Sequence, residues 1–327
     1  MKDKIRWGIL STGWIAKKFA EGLSVLPDAE IMAVGSRAQE TADAFGDEYG
    51  VPHRHASYEA LAADPDVDVI YIGTPHPFHK DNAILSLGAG KAVLLEKPFT
   101  LNAGEAEEVI ALAREKGLFL MEAMWSRYIP IIVKLRELLA EAAIGEVRML
   151  TADLGFRSTF DPKSRLFDPE LGGGALLDVG IYPISFASMV LGTPSRIVSL
   201  AHMGQTGVDE QAGIVFGYER GQLAILHTAL QTSTAIEATV MGTEGKIRVH
   251  SAWFYGTTLT LSIEGRDDEV ISLPYEGNGY NFEAAEVNER LREGKLESDV
   301  MPLDETLVIM QTLDAIRTQW GFKYPME

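Results

Sequence analysis

The chain has 327 residues, 46% of them hydrophobic, with no cysteine and a net charge of −18. Disulfides, thiolate catalysis and cysteine-ligated metals are excluded, and so acidic a chain is a poor general partner for nucleic acid or anionic membranes. A mean hydropathy of +0.02 suits one large or two medium globular domains, and no apolar run approaches the roughly 20 residues that a bilayer span needs.

The N-terminus, Met1-Lys-Asp-Lys-Ile5, passes directly into a strand over 5–10, so no signal peptide is expected and the cytoplasm is the expected setting. Ser11-Thr12-Gly13-Trp14-Ile15-Ala16 then turns the strand into an amphipathic helix running to Leu26. This turn stands where a dinucleotide fingerprint belongs, yet reads Ser11-x-Gly13-x-x-Ala16, with one of the three glycines in place. Gly13 lets a pyrophosphate approach the backbone, and the amides of the stretch from Ser11 through Thr12 and Trp14 to Ile15 are the expected anion site. A second strand over 30–35 ends in Ser36-Arg37. An NAD site usually has Asp or Glu here; instead Arg37 offers a permanently charged, planar partner for a 2′-phosphate. NADP is therefore expected, with NAD as the second choice, unless Arg37 is merely a surface residue opening the next helix.

A helix over 38–49 and a shorter one from Ser57 precede the fourth strand, over 68–73. That strand runs into Thr74-Pro75-His76-Pro77-Phe78-His79, where Thr74, His76 and His79 are expected to contact ribose or nicotinamide, or else to cap a helix. No acidic or further histidine partner with ligand spacing accompanies them, and no metal is expected. The apolar run Ala92-Val-Leu-Leu leads to Glu96-Lys97-Pro98 and reads as a buried parallel strand, the fifth. A lysine at its C-terminal end lies where open α/β sheets bind ligands. Asn102-x-x-Glu105 resembles a capping box, opening a helix that Gly117 closes before a sixth strand over 118–122.

From Gly145 the pattern changes. A strand over 147–156 is followed by a polar loop and then Gly172-Gly173-Gly174. The next segment, through Asp178, Tyr182 and Pro183, reads as a helix that Pro183 bends or enters in its first turns. Asp178 and Tyr182, four apart, share a face, and the glycines allow another chain or a ligand close approach. Three hairpins pair 212–218 with 222–230, 237–241 with 246–250, and 257–263 with 269–273, ahead of helices over 282–293 and 303–319. The expected class is α/β: a Rossmann-type doubly wound parallel sheet over 1–122, then an α+β domain over 123–327 with a large, mostly antiparallel sheet. The second domain is expected to bind a small-molecule substrate, and the open face of its sheet favours a homodimer or higher homo-oligomer.

With Gly13-x-Ile15-Ala16, Glu96-Lys97-Pro98 and Gly172-Gly-Gly-Ala-Leu-Leu-Asp178-Val-Gly-Ile-Tyr182-Pro183 in place, the chain resembles the glucose-fructose oxidoreductase/inositol dehydrogenase/rhizopine-catabolism (Gfo/Idh/MocA) family over nearly its whole length. Gly73-Thr-Pro-His76-Pro-Phe-His79 and Leu120-Met-Glu-Ala-Met-Trp125-Ser-Arg127 are similar to its branch of dimeric dihydrodiol dehydrogenases and NADP-linked xylose 1-dehydrogenases. The resemblance implies an NAD(P)-dependent oxidoreductase acting on a sugar, cyclic polyol or dihydrodiol. Glu96 falls in the cofactor-binding stretch, and Lys97 and Tyr182 face the substrate carbon. Many members carry histidine where this chain has Tyr182, which argues against inositol-dehydrogenase chemistry; the second basic residue that some relatives use for a 2′-phosphate is Thr41 here.

A phenol titrates near pH ~10 in water, so Tyr182 acting as acid and base calls for a neighbouring cation, the Lys97 ammonium. Asp178 is expected to orient one of the two. Trp125 offers a flat face to nicotinamide or a cyclic substrate, or packs the domain junction; Arg127 and Arg165 add polar contacts, and Tyr280 is a further pocket candidate. The alternative from another class is a non-catalytic NAD(P)-binding sensor, against which the retained Lys97 and Tyr182 speak.

Overall fold

The computed structural model describes residues 4–327; Met1-Lys-Asp3, at the start of the stretch read for a signal peptide, lies outside them. The chain divides into two compact units. The first takes in the chain to Trp125 together with Glu276–Leu307, and the second comprises Ser126–Tyr275 and Val308–Glu327. This redraws the division expected at 122/123, because a late segment returns to the first unit.

The first unit alternates strands and helices: β1 (Ile5–Leu10), α1 (Trp14–Leu23), β2 (Ala29–Gly35), α2 (Gln39–Tyr49), β3 (His53–His55), α3 (Tyr58–Ala62), β4 (Val69–Ile72), α4 (His79–Gly88), β5 (Ala92–Glu96), α5 (Ala103–Lys116) and β6 (Leu120–Ala123). The six strands are parallel in the order β3-β2-β1-β4-β5-β6, so the winding reverses between β1 and β4. Every residue of β4 and β5 is buried, as expected for central strands covered by helices on both faces. Amphipathic α1 turns Ala16, Phe19, Ala20 and Leu23 inward and ends at Leu23, one turn short of the expected Leu26. Asn102 caps α5 by accepting from the Glu105 amide at 3.0 Å, and the Glu105 carboxylate accepts from the Leu101 amide at 3.1 Å. Gly117 closes α5 in the left-handed conformation.

The chain continues with α6 (Pro130–Ala140), β7 (Val147–Gly155), a π-helical turn (Leu176–Gly180), α7 (Ile181–Leu191), β8 (Arg196–Met203), β9 (Asp209–Gly217), β10 (Leu223–Ala229), β11 (Ala238–Gly242), β12 (Gly245–Val249), β13 (Thr258–Ile263), β14 (Glu269–Ser272), α8 (Tyr280–Glu293) and α9 (Leu303–Trp320). Helix α8 belongs to the first unit. Its Asn288 accepts from the Trp7 indole at 3.1 Å, and Gly22 of α1 admits the α8 entry, since a Cβ there would lie 2.9 Å from Asn278 Oδ1.

The second unit is built on one eight-stranded sheet, β14-β13-β12-β11-β7-β10-β9-β8, antiparallel except where β7 meets β10. The three expected hairpins are present. Alternation along β8, β9 and β10 buries Ile214, Phe216, Ala224 and Leu226 and leaves Val198, Leu200, Val215, Leu223 and Ile225 exposed. Against the expectation of no membrane-length run, Pro169–Leu191 is long and apolar enough; it is 78% buried within the protein and so reads as a core helix. Helix α6 and strand β8 carry no sequence assignment above, and β3 none by position. His-Arg-His of β3 has no apolar period; its pairing with Ala33, Val34 and Gly35 makes it a strand.

Candidate active site

The C-terminal ends of β1, β2, β4 and β5 gather the expected cofactor residues around the point where the winding reverses. After β1, Ser11 adopts a φ of +115°, which L-residues rarely visit and glycine takes freely. The missing glycine is thus replaced in sequence but kept in backbone shape, and the Ser11 hydroxyl accepts from the Gly13 amide at 3.2 Å. A Cβ on Gly13 would meet nothing nearer than Ser11 Oγ at 3.5 Å, so the approach to the start of α1 is open. The first turn of α1 has no acidic residue, and Trp14 stands 68% exposed beside it. Thr12 and Ile15 flank this turn. The arrangement suits a pyrophosphate.

At the end of β2, Ser36 is buried, its hydroxyl 2.6 Å from that of Thr41. Arg37 is exposed and makes no ion pair among the described residues, leaving its guanidinium for a ligand. Its charge reaches Tyr58, whose phenol burial pushes up and Arg37 pulls back.

The loop after β4 departs from expectation. His79 is wholly buried, with Nδ1 2.8 Å from the Pro98 carbonyl and Nε2 2.8 Å from the Thr74 carbonyl. It braces the loop after β4 to the loop after β5, which replaces the expected cofactor contact. Burial lowers its pKa against the pull of these carbonyls. His76 lies edge-on to it, ring centroids 5.8 Å apart, and Thr74 accepts from Asn82 at 3.1 Å. Glu96 is also buried, accepting from the Tyr71 hydroxyl at 2.6 Å and the Lys97 amide at 3.1 Å. It therefore anchors the strand end. Burial, followed by the Glu96 charge, pushes the pKa of both Tyr71 and the neighbouring Glu283 upward. Lys97, half-buried, precedes Pro98 at the mouth of β5, and the bond between them is cis. Trp125 and Tyr280 stack at 4.5 Å and 20°, both largely buried, so each serves as the other's packing partner.

In the second unit, Arg165 donates to both oxygens of Asp178, at 2.8 and 3.5 Å; the arginine is half-exposed and the aspartate buried. Tyr182 lies one turn further on, in α7, its ring 5.2 Å from that of Phe254. Arg127, expected to contact substrate, is buried and donates to the Ser185 hydroxyl at 3.0 Å and carbonyl at 2.9 Å, so it holds α7 in place. Gly174 has a φ of +122°, and a Cβ there would fall 2.4 Å from Asp209 Oδ1. The close approach that the glycines signalled is made by Asp209, which accepts from the Leu176 amide at 2.7 Å and caps the π-helical turn. Burial raises its pKa to about 7. Asp209 carried no sequence signal of its own beyond these glycines.

Away from these groups, the structure corrects the expectation that no ligand cluster exists. His53 Nδ1 and His55 Nε2 lie 2.7 and 2.8 Å from the same oxygen of Asp64.

Comparison with known proteins adds a second line of observation. A family profile described as "Oxidoreductase family, NAD-binding Rossmann fold" matches residues 5–124, and "GFO/IDH/MocA C-terminal domain" matches 132–248. The trans-1,2-dihydrobenzene-1,2-diol dehydrogenase of Mus musculus is 38% identical over 335 aligned positions, covering 99% of each chain. That of Homo sapiens is 37% identical over 332, again covering 99% of each. A 3-ketoreductase from Actinomadura kijaniata, solved with NADP and TDP-benzene, superposes with a TM-score of 0.86 at 26% identity, over 96% of this chain and 97% of its own. An aldose-aldose oxidoreductase from Caulobacter crescentus shares the fold, with a TM-score of 0.89 at 23% identity and 98% of each chain covered.

Proposed function

Since this chain belongs to the GFO/IDH/MocA family and is an NAD(P)-dependent dehydrogenase, we propose that it uses NADP to interconvert a hydroxyl and a carbonyl on a sugar, cyclic polyol or trans-dihydrodiol. The observation that carries the cofactor choice is Arg37, exposed at the end of β2 and in no ion pair among the described residues. A guanidinium there meets a 2′-phosphate with two parallel hydrogen bonds. The open turn at Gly13 and the α1 amides receive the pyrophosphate. When bound, the nicotinamide supplies the hydride.

Tyr182 is assigned as the acid in reduction and the base in oxidation, with the Lys97 ammonium favouring the phenolate and stabilising negative charge on the reacting oxygen. Support comes from the side chains that hold each of them: Glu96 fixes the Lys97 backbone, and Arg127 fixes α7 beneath Tyr182. Arg165, paired with Asp178 and half in solvent, is the candidate contact for substrate hydroxyls. The exposed apolar residues of β8, β9 and β10 are assigned to a homodimer contact.

The cofactor assignment is tested by titrating the purified protein separately with NADPH and NADH, following nicotinamide fluorescence. NADPH should bind the more tightly, and Arg37→Ala should weaken it about 10–100-fold while leaving NADH within about threefold. Equal loss for both cofactors, or a native preference for NADH, removes Arg37 from the phosphate site.

A further inference from the structure

We propose that His53, His55 and Asp64 form a binding site for one divalent transition-metal ion, Zn2+ being the best matched, apart from the cofactor and substrate residues. His53 and His55 are two apart on β3, so both side chains leave the same face of this edge strand. The third donor comes from Asp64, just beyond α3. Their ligand atoms all lie within 4.8 Å of one another, and both imidazoles direct a ring nitrogen at the one oxygen, Asp64 Oδ2.

Two imidazoles and a carboxylate form a donor set that suits Zn2+ and leaves a fourth position for water. A simple hydrogen-bonded trio would also satisfy the carboxylate, so the surroundings decide. Asp64 is 3% exposed, whereas the His53 and His55 side chains are 36% and 24% exposed, which leaves the histidine side of the cluster open to solvent. The other carboxylate oxygen is held by the Asp66 amide at 2.9 Å, the outer contact that orients a metal-binding carboxylate. The loop itself is tied down by Lys91, whose ammonium donates to the Asp64 carbonyl and to that of Val67. Tetrahedral ligands at about 2.0–2.1 Å stand roughly 3.3 Å apart. Each histidine nitrogen would therefore withdraw from Asp64 Oδ2 by about half an ångström on binding, a shift within reach of two partly exposed side chains. A bound ion would clip the three-residue edge strand to the loop that precedes β4.

The test uses untagged full-length protein, stripped with EDTA and returned to chelator-free buffer, titrated with Zn2+ alone against a chromophoric chelator. One equivalent should bind, and Zn2+ should raise the melting temperature. His55→Gln and Asp64→Asn should each weaken Zn2+ binding at least tenfold and abolish the thermal shift, while an unchanged NADPH titration shows that the variants are folded. Independently of any variant, Zn2+ should protect His53 and His55 of the native protein from diethylpyrocarbonate. Absence of saturable binding, native affinity in both variants, or unprotected histidines at saturating Zn2+ each overturns the proposal.

Discussion

At Lys97 the proposed chemistry rests on one ammonium at the mouth of a buried strand. Its position is set by neighbours that do not react: Glu96 accepts its amide, Tyr71 fixes Glu96, and His79 spans the adjoining carbonyls of Thr74 and Pro98. Removing the charge without the length should isolate its contribution. Lys97→Met is expected to lower kcat by about 10²–10⁴-fold, the range of a positioned proton-transfer group, with NADPH affinity within about threefold of native. Steady-state kinetics beside a cofactor titration measure both, and native turnover in the variant would falsify the assignment.

On the scale of elements, the turn from the glycines into α7 is the most constrained feature of the second unit. Gly174 gives Asp209 room at the start of the π-helical turn, and Tyr324 donates to the Gly173 carbonyl at 2.7 Å. The Asp209 carboxyl titrates near 7 in the folded chain against an ordinary 3.8. Because the folded pKa is the higher one, the native state holds more protons between these values. Stability from this group is therefore fully present below about pH 4 and declines as pH rises to about 7. Asp209→Asn keeps an acceptor for the Leu176 amide and removes the titration. Its melting temperature should fall less than that of the native protein between pH 5 and pH 8. Parallel curves for the two proteins would show that Asp209 is not the titrating group.

For the whole molecule, the open face of the eight-stranded sheet is the feature that calls for a partner. Val198, Val215 and Ile225 stand opposite one another on adjacent strands, with Leu200, 81% exposed, one step along β8. Apolar residues so aligned on a flat, regular surface suit a second copy of the same face. Sedimentation of the native protein should give a dimer or a multiple of one, and Leu200→Glu combined with Ile225→Glu should shift it to monomer. A native monomer, or a double variant that stays associated, would rule this face out.

Short-range chemistry made much of this legible in the sequence. Apolar runs of four or five residues between helical periods determined β4, β5 and the doubly wound sheet, and Asn102 and Gly117 marked the ends of α5. Lys97 and Arg37 are legible in the sequence as charges at the ends of buried strands, and the roles given to them are those proposed above. Long-range contact decided the rest. Nothing local distinguishes Arg127 as an anchor for Ser185 from a substrate contact, or His79 as a brace from a cofactor ligand. The return of 276–307 to the first unit depends on α8 meeting α1. His53, His55 and Asp64 likewise become one cluster only when β3 pairs with β2 and brings the strand beside the end of α3. Periodicity records which face of an element is apolar; the identity of the group on the other side of a contact is set only by the folded chain.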